Sequence, residues 1–136
     1  VTVDLIEFPD VELLVADHLR DMLGATVLTR LPAAPGTRPT EFLLVERTGG
    51  PRATIVSDRP QVTIEAWATS KPDAHDLIQQ ARTRLHGLRG THSTGSTIYR
   101  TDEAAGPAWL PDPESDTARY TFTATLHVRG SVLTGS

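Results

Sequence analysis

The sequence predicts an α+β domain in which two helices pack on a largely antiparallel or mixed β-sheet. Three observations predict it. Apolar residues recur at helical spacing near the start of the chain and again near its middle. Two other stretches alternate apolar and polar residues at the period of a half-buried strand. The elements come in the order helix, strands, helix, strands, with no internal repeat. At 136 residues the chain suits one domain, 1–136, large enough to bury about two-thirds of its unfolded surface.

Asp10 is placed to cap the first helix. Val11, Leu14, Val15, His18, Leu19 and Met22 fall on one face, and Gly24 supplies the stop. Leu13 lies opposite that stripe, where the pattern predicts exposure. Such a leucine is either an ordinary surface residue or an assembly contact. Ala25–Leu31 reads as a short strand, and the three prolines of 32–40 make the next segment an extended loop.

Glu41–Thr48 is a strand whose run Phe42-Leu43-Leu44-Val45 predicts cover on both faces. Gly49-Gly50-Pro51 turns the chain, and Ala53–Ser57 reads as a return strand. Gln61–Thr69 alternates, with Val62, Ile64, Ala66 and Ala68 on one side and Thr63, Glu65, Trp67 and Thr69 on the other. Ser70-Lys-Pro-Asp73 then opens a helix with Ala74, Leu77, Ile78, Ala81, Leu85 and Leu88 on one stripe. Arg82, Arg84 and Arg89 lie toward its C-terminus, where the macrodipole favours cations.

Gly90–Gly95 reads as a small-residue loop and Thr97–Thr101 as a strand. Asp102–Ser115, with three prolines and Trp109, reads as a second long loop at about 102–115. Asp116–Gly130 is the clearest strand. Tyr120, Phe122, Ala124, Leu126 and Val128 alternate there with Thr121, Thr123, Thr125 and His127.

Composition excludes more than it names. The absence of cysteine removes disulfides, thiolate metal sites and cysteine nucleophiles. A net charge of −4 disfavours an electrostatic nucleic-acid binder. No apolar run approaches the ~20 residues of a membrane-spanning helix. Val1–Asp10 lacks the pattern of a signal peptide, which predicts an intracellular product. Arginine outnumbers lysine twelve to one, which fits either the codon usage of a GC-rich genome or arginine chosen for protein contacts.

No constellation reads as an active site. Gly90–Thr97 imitates a phosphate-binding loop, but Ser96 replaces its lysine and the loop runs from helix to strand. His18, His75, His86, His92 and His127 show no i,i+4 metal pair, and His18 on an apolar stripe reads as a boundary histidine. The acids Asp102, Glu103, Asp112, Glu114 and Asp116 lie in a Pro-rich segment that lacks the rigid placement a catalytic pair needs. The expectation is therefore a non-enzyme with no catalytic, cofactor-binding or metal residue and no cofactor.

Three stretches together resemble the tail terminator (tail completion) proteins of long-tailed bacteriophages. They are Pro9-Asp-Val-Glu-Leu-Leu-Val-Ala-Asp-His-Leu, the strand and helix start from Pro60 through Trp67-Ala68 to Leu77, and Gly106-Pro-Ala-Trp-Leu-Pro-Asp-Pro continuing through Arg119 to Gly130. The resemblance implies a structural virion protein, made in the host cytoplasm. It would form a ring, expected to be a homohexamer, at the head-proximal end of the tail tube. That ring would end tube polymerisation and join the tail to the head connector. Its implied partners are further copies of itself, the tube protein and the connector, with DNA only passing through the lumen and no membrane. A head–neck completion (connector) protein and a small-molecule-binding or enzymatic α+β domain are the alternatives. The expected assembly contacts are Leu13, Trp109 and Leu110, although Trp109 could instead fold back onto its own sheet.

Overall fold

The computed structural model describes residues 5–92 and 95–132. In chain order the elements are β1 (Ile6–Glu7), α1 (Val11–Leu23), β2 (Val27–Leu28), β3 (Phe42–Gly49) and β4 (Ser57–Asp58), then β5 (Gln61–Ala68) and α2 (Lys71–Leu85). The last four are β6 (Gly90–Thr91), β7 (Thr97–Trp109), β8 (Ala118–Arg129) and β9 (Ser131–Val132). Both helices start where the caps predict. The Asp10 carboxylate accepts from Leu13 N at 3.2 Å, and Ser70 Oγ from Asp73 N at 3.3 Å. Gly24, at φ 62°, ends α1 in the left-handed region that glycine adopts freely.

The main sheet runs β2-β3-β5-β8-β7-β6, and β4 extends the line of β5 along β8. Every pairing in it is antiparallel except β2 with β3, so the fold is α+β with a mixed sheet. β5 and β8 pair without a register break from Gln61↔Thr125 to Ala68↔Ala118, forming the backbone of the sheet. β1 and β9 make a separate two-stranded ribbon.

One sheet face carries Leu43, Val45, Val62, Ile64, Phe122, Leu126 and Val128, packed on Val15, Leu19, Ile78 and Leu85 of the helices. His18 sits at this boundary with Nε2 2.8 Å from Arg84 O, as expected of a satisfied histidine. Met22 departs from its predicted stripe and is 53% exposed, because it lies in the last turn of α1. The opposite face is apolar at one end only. There Phe42, Leu44 and Trp67 are buried beneath Leu28 and Leu31. The four-residue run of β3 is thus buried on both sides, as its sequence predicts.

Two expectations are corrected. The segment expected as a loop at 102–115 is strand as far as Trp109, and the irregular part shortens to 110–117. β7 lies at the sheet margin, where Pro107 is tolerated and bulges break the alternation that would have revealed a strand. Among the described residues its outer side pairs with β6 only at Thr97 and Ile98, leaving residues 99–109 as an edge with no described strand beside it. The return strand expected at Ala53–Ser57 is instead a turn, in which Ala53 N and Thr54 N both donate to Ser57 O. Only Ser57 and Asp58 enter the sheet.

Candidate assembly surface

Trp67 is the one large aromatic on the polar side of β5, and an indole there must find cover. Phe42 stacks on it at 5.4 Å and 14°. The guanidinium of Arg119 lies 5.2 Å from its ring centre and that of Arg38 lies 5.6 Å away, so cations close what aliphatic groups leave open. Trp67 Nε1 donates to Glu65 at 3.1 Å, and Arg119 also faces that carboxylate at 3.8 Å.

Both proline-rich loops converge on this cluster. The first, 32–40, contains one 3-10 turn at Pro35–Thr37 and is tied to itself where Arg38 Nε donates to Pro32 O at 3.2 Å. The second, 110–117, is a compact turn. Its buried Asp112 accepts from the Ser115 N–H at 3.1 Å and from the Ser115 hydroxyl, and Asp112 N donates to Thr117 O. Asp116 is left at φ 55°, an unusual conformation for a residue with a side chain. Between the loops lies an open cleft of about 380 Å³, floored by Phe42, Trp67, Ala68 and Ala118 and walled by Pro35, Pro39 and Asp116. Its lining offers a guanidinium, a carboxylate and hydroxyls.

The expected contact residues separate into two places. Trp109 and Leu110 stand at the same end of the sheet as the cleft, on the helix side. The Trp109 ring packs 5.3 Å from Tyr120 and beneath Lys71 Nζ at 4.8 Å, yet remains 39% exposed. It therefore folds back on its own sheet and still presents a face to solvent. Leu110 is 53% exposed, and its backbone is pinned where its carbonyl accepts from Arg119 Nε at 2.7 Å. Leu13 is also exposed, but its neighbour Glu12 accepts from Arg47 N at the far end of β3. The structure does not bring Leu13 together with Trp109 and Leu110.

The rest of the open sheet face is polar. Hydroxyls of Thr48, Thr63 and Thr123 form a chain at 3.3 and 2.9 Å, and His127 Nε2 lies 2.9 Å from Asp102. Arg100 bonds the same Asp102 carboxylate at 2.8 Å and holds its pKa below the usual range, helped by His127. Arg82 grips Glu103 with two N–H groups and lowers that carboxyl likewise, and Ser115 lowers Asp112. Glu46 shifts upward, through burial first and then through Glu65 and Glu12.

The three lowered groups stay ionised in the folded chain at pH values where the unfolded chain protonates them. They stabilise the fold above the ordinary carboxylate range, and the contribution disappears as pH falls through their lowered values. Glu46 acts in the opposite sense. Urea midpoints are therefore expected to fall on acidification through this range, and Arg82→Ala to flatten part of that fall. An unchanged pH profile in Arg82→Ala would assign the acid sensitivity elsewhere.

Phe42, Trp67, Arg38 and Arg119 carried no functional reading in the sequence. The usable signal was an aromatic placed in a polar row, followed from the other side by a proline-rich segment able to cover it. The phosphate-loop imitation at Gly90–Thr97 includes residues 93 and 94, which lie outside the described residues. Among the described residues, no helix is long and apolar enough to cross a membrane. No curated protein matches the sequence at a significant level. Residues 7–133 match the family model of the phage tail termination protein, nearly the whole length of the chain, and the order of helices and strands agrees with the resemblance drawn from sequence. The chain belongs to this structural family of phage tail assembly.

Proposed function

We propose that the protein forms a ring, of six copies, on the head-proximal end of the tail tube, where it ends polymerisation and provides the joint to the head connector. In this reading it is one non-enzymatic domain of the virion, and DNA passes through the ring without being held. Family membership supports the tail role. The observation that carries the ring is the unlikeness of the two ends of the sheet. One end bears the cleft, Trp109 and Leu110; the other exposes Ile55, Val56 and Tyr99. Ring subunits meet through heterologous contacts, which require two different surfaces on each copy. The passage of DNA is consistent with a net charge of −4 and with arginines 20, 47, 82, 100 and 119 facing carboxylates within the subunit.

Negative-stain microscopy of the protein mixed with tail tubes tests the proposal. The expected image is a ring on one tube end, with tube length no longer increasing. Trp109→Ala is expected to reduce ring occupancy roughly tenfold while costing the free subunit only about 1 kcal/mol. Tubes that continue to lengthen without a ring would refute the function. Normal occupancy in Trp109→Ala would remove that side chain from the joint, and a large loss of stability would assign it to the fold alone.

A further inference from the structure

The turn at 50–58 presents Ile55 at 73% exposure and Val56 at 37%. An apolar pair so far into solvent usually sits on a mobile tip. Here it sits on an ordered one. Thr54 Oγ1 accepts from Val56 N at 3.2 Å and from Ser57 N at 3.0 Å, and Gly130 N donates to Val56 O at 3.0 Å. The turn is thus a rigid apolar knob, so little entropy remains to be lost when it docks.

The cleft over Phe42 and Trp67 is the matching socket. Ser57 pairs with Arg129 at one end of β8, and Ala68 with Ala118 at the other. Eleven residues at ~3.3 Å each separate knob from socket by about 36 Å along the strand. No subunit can fill its own cleft. Charge also matches across the gap. Arg59 flanks the knob, Asp116 lines the cleft, and Glu114 precedes the lining residue Ser115 in the chain; among the described residues none of the three has an ion-pair partner within the subunit.

We propose that the knob of one copy seats Ile55 and Val56 in the cleft of the next copy, with Arg59 facing Glu114 and Asp116. This proposal rests on the ring reading above and supplies its contact. The same head-to-tail step, repeated, closes a ring when its rotation returns to the start. Pro35 and Pro39 offer apolar walls where the isoleucine enters, above a floor of Phe42 and Trp67 that is itself already covered, and the surrounding hydroxyls and charges set its direction.

The absence of cysteine permits a direct test. In Ile55→Cys/Thr69→Cys the two thiols are too far apart to bridge within one subunit, since a disulfide needs Cα atoms within about 7 Å. Oxidation of the variant assembled on tail tubes is expected to give a covalent ladder that stops at the ring size, whereas each single variant gives no product beyond a dimer. Ile55→Glu is expected to melt as wild type and to assemble roughly tenfold less well. Arg59→Glu is expected to weaken assembly, with recovery in Arg59→Glu/Glu114→Arg.

Rings visible on tube ends without any ladder, together with normal assembly of Ile55→Glu, would overturn this contact and leave the ring reading standing. Wild-type protein that never forms rings would refute the ring itself. A ladder from the free double-cysteine variant would in that case still support the head-to-tail contact.

Discussion

Trp67→Ala is expected to lower the unfolding free energy by about 3–5 kcal/mol, the range for deleting a buried aromatic. The indole is only 2% exposed and anchors the second apolar cluster, so its loss leaves Phe42 and Leu44 facing a void. The stacked guanidinium groups of Arg38 and Arg119 lose their platform, each such contact contributing about 0.5–1 kcal/mol. Trp67→Phe keeps the stack and removes the donor to Glu65, so about 1–2 kcal/mol is expected. Urea unfolding measures both. A cost below about 1 kcal/mol for Trp67→Ala would mean that the loop at 32–40 is not docked on this ring.

Gly50→Ala should rank next, at about 3 kcal/mol, from backbone strain and overpacking together. Gly50 has φ 91°, which side-chain-bearing residues rarely adopt. A Cβ there would also lie 2.6 Å from Gln61 N and closer still to Arg59 O. The chain turns back on itself so tightly that no flexible group can yield. The melting temperature is expected to drop by roughly 10 °C, against almost no change for Gly36→Ala, where a Cβ meets nothing within 4 Å. Equal melts for the two variants would show that the turn at 50–58 is not held in the described form.

The parts of the fold legible in the sequence are those with an uninterrupted period. α2, β5 and β8 each keep one face buried along their length and α1 does so as far as Leu19, so hydrophobic spacing alone locates them. β7 hides because its bulges between Ile98 and Arg100, Glu103 and Ala105, and Ala105 and Ala108 reset the alternation three times. The turn at 53–57 hides for the converse reason, since Ala-Thr-Ile-Val has strand character but Thr54 spends its hydroxyl on a local turn. Of the candidate site, Trp109 and Leu110 could be picked out as apolar residues among prolines and acids. The cleft could not, because it arises from two loops some 75 residues apart in sequence meeting over Phe42 and Trp67.

The margin of β7 that has no described strand beside it bears on aggregation. A long row of unpaired peptide groups is the template on which unrelated chains grow into fibrils. Residues 99–109 escape that fate by their shape: the bulges twist the row out of plane, Pro107 removes a donor from it, and Arg100, Asp102 and Glu103 place charge along it. A newcomer strand therefore finds no flat run of complementary groups to zip onto.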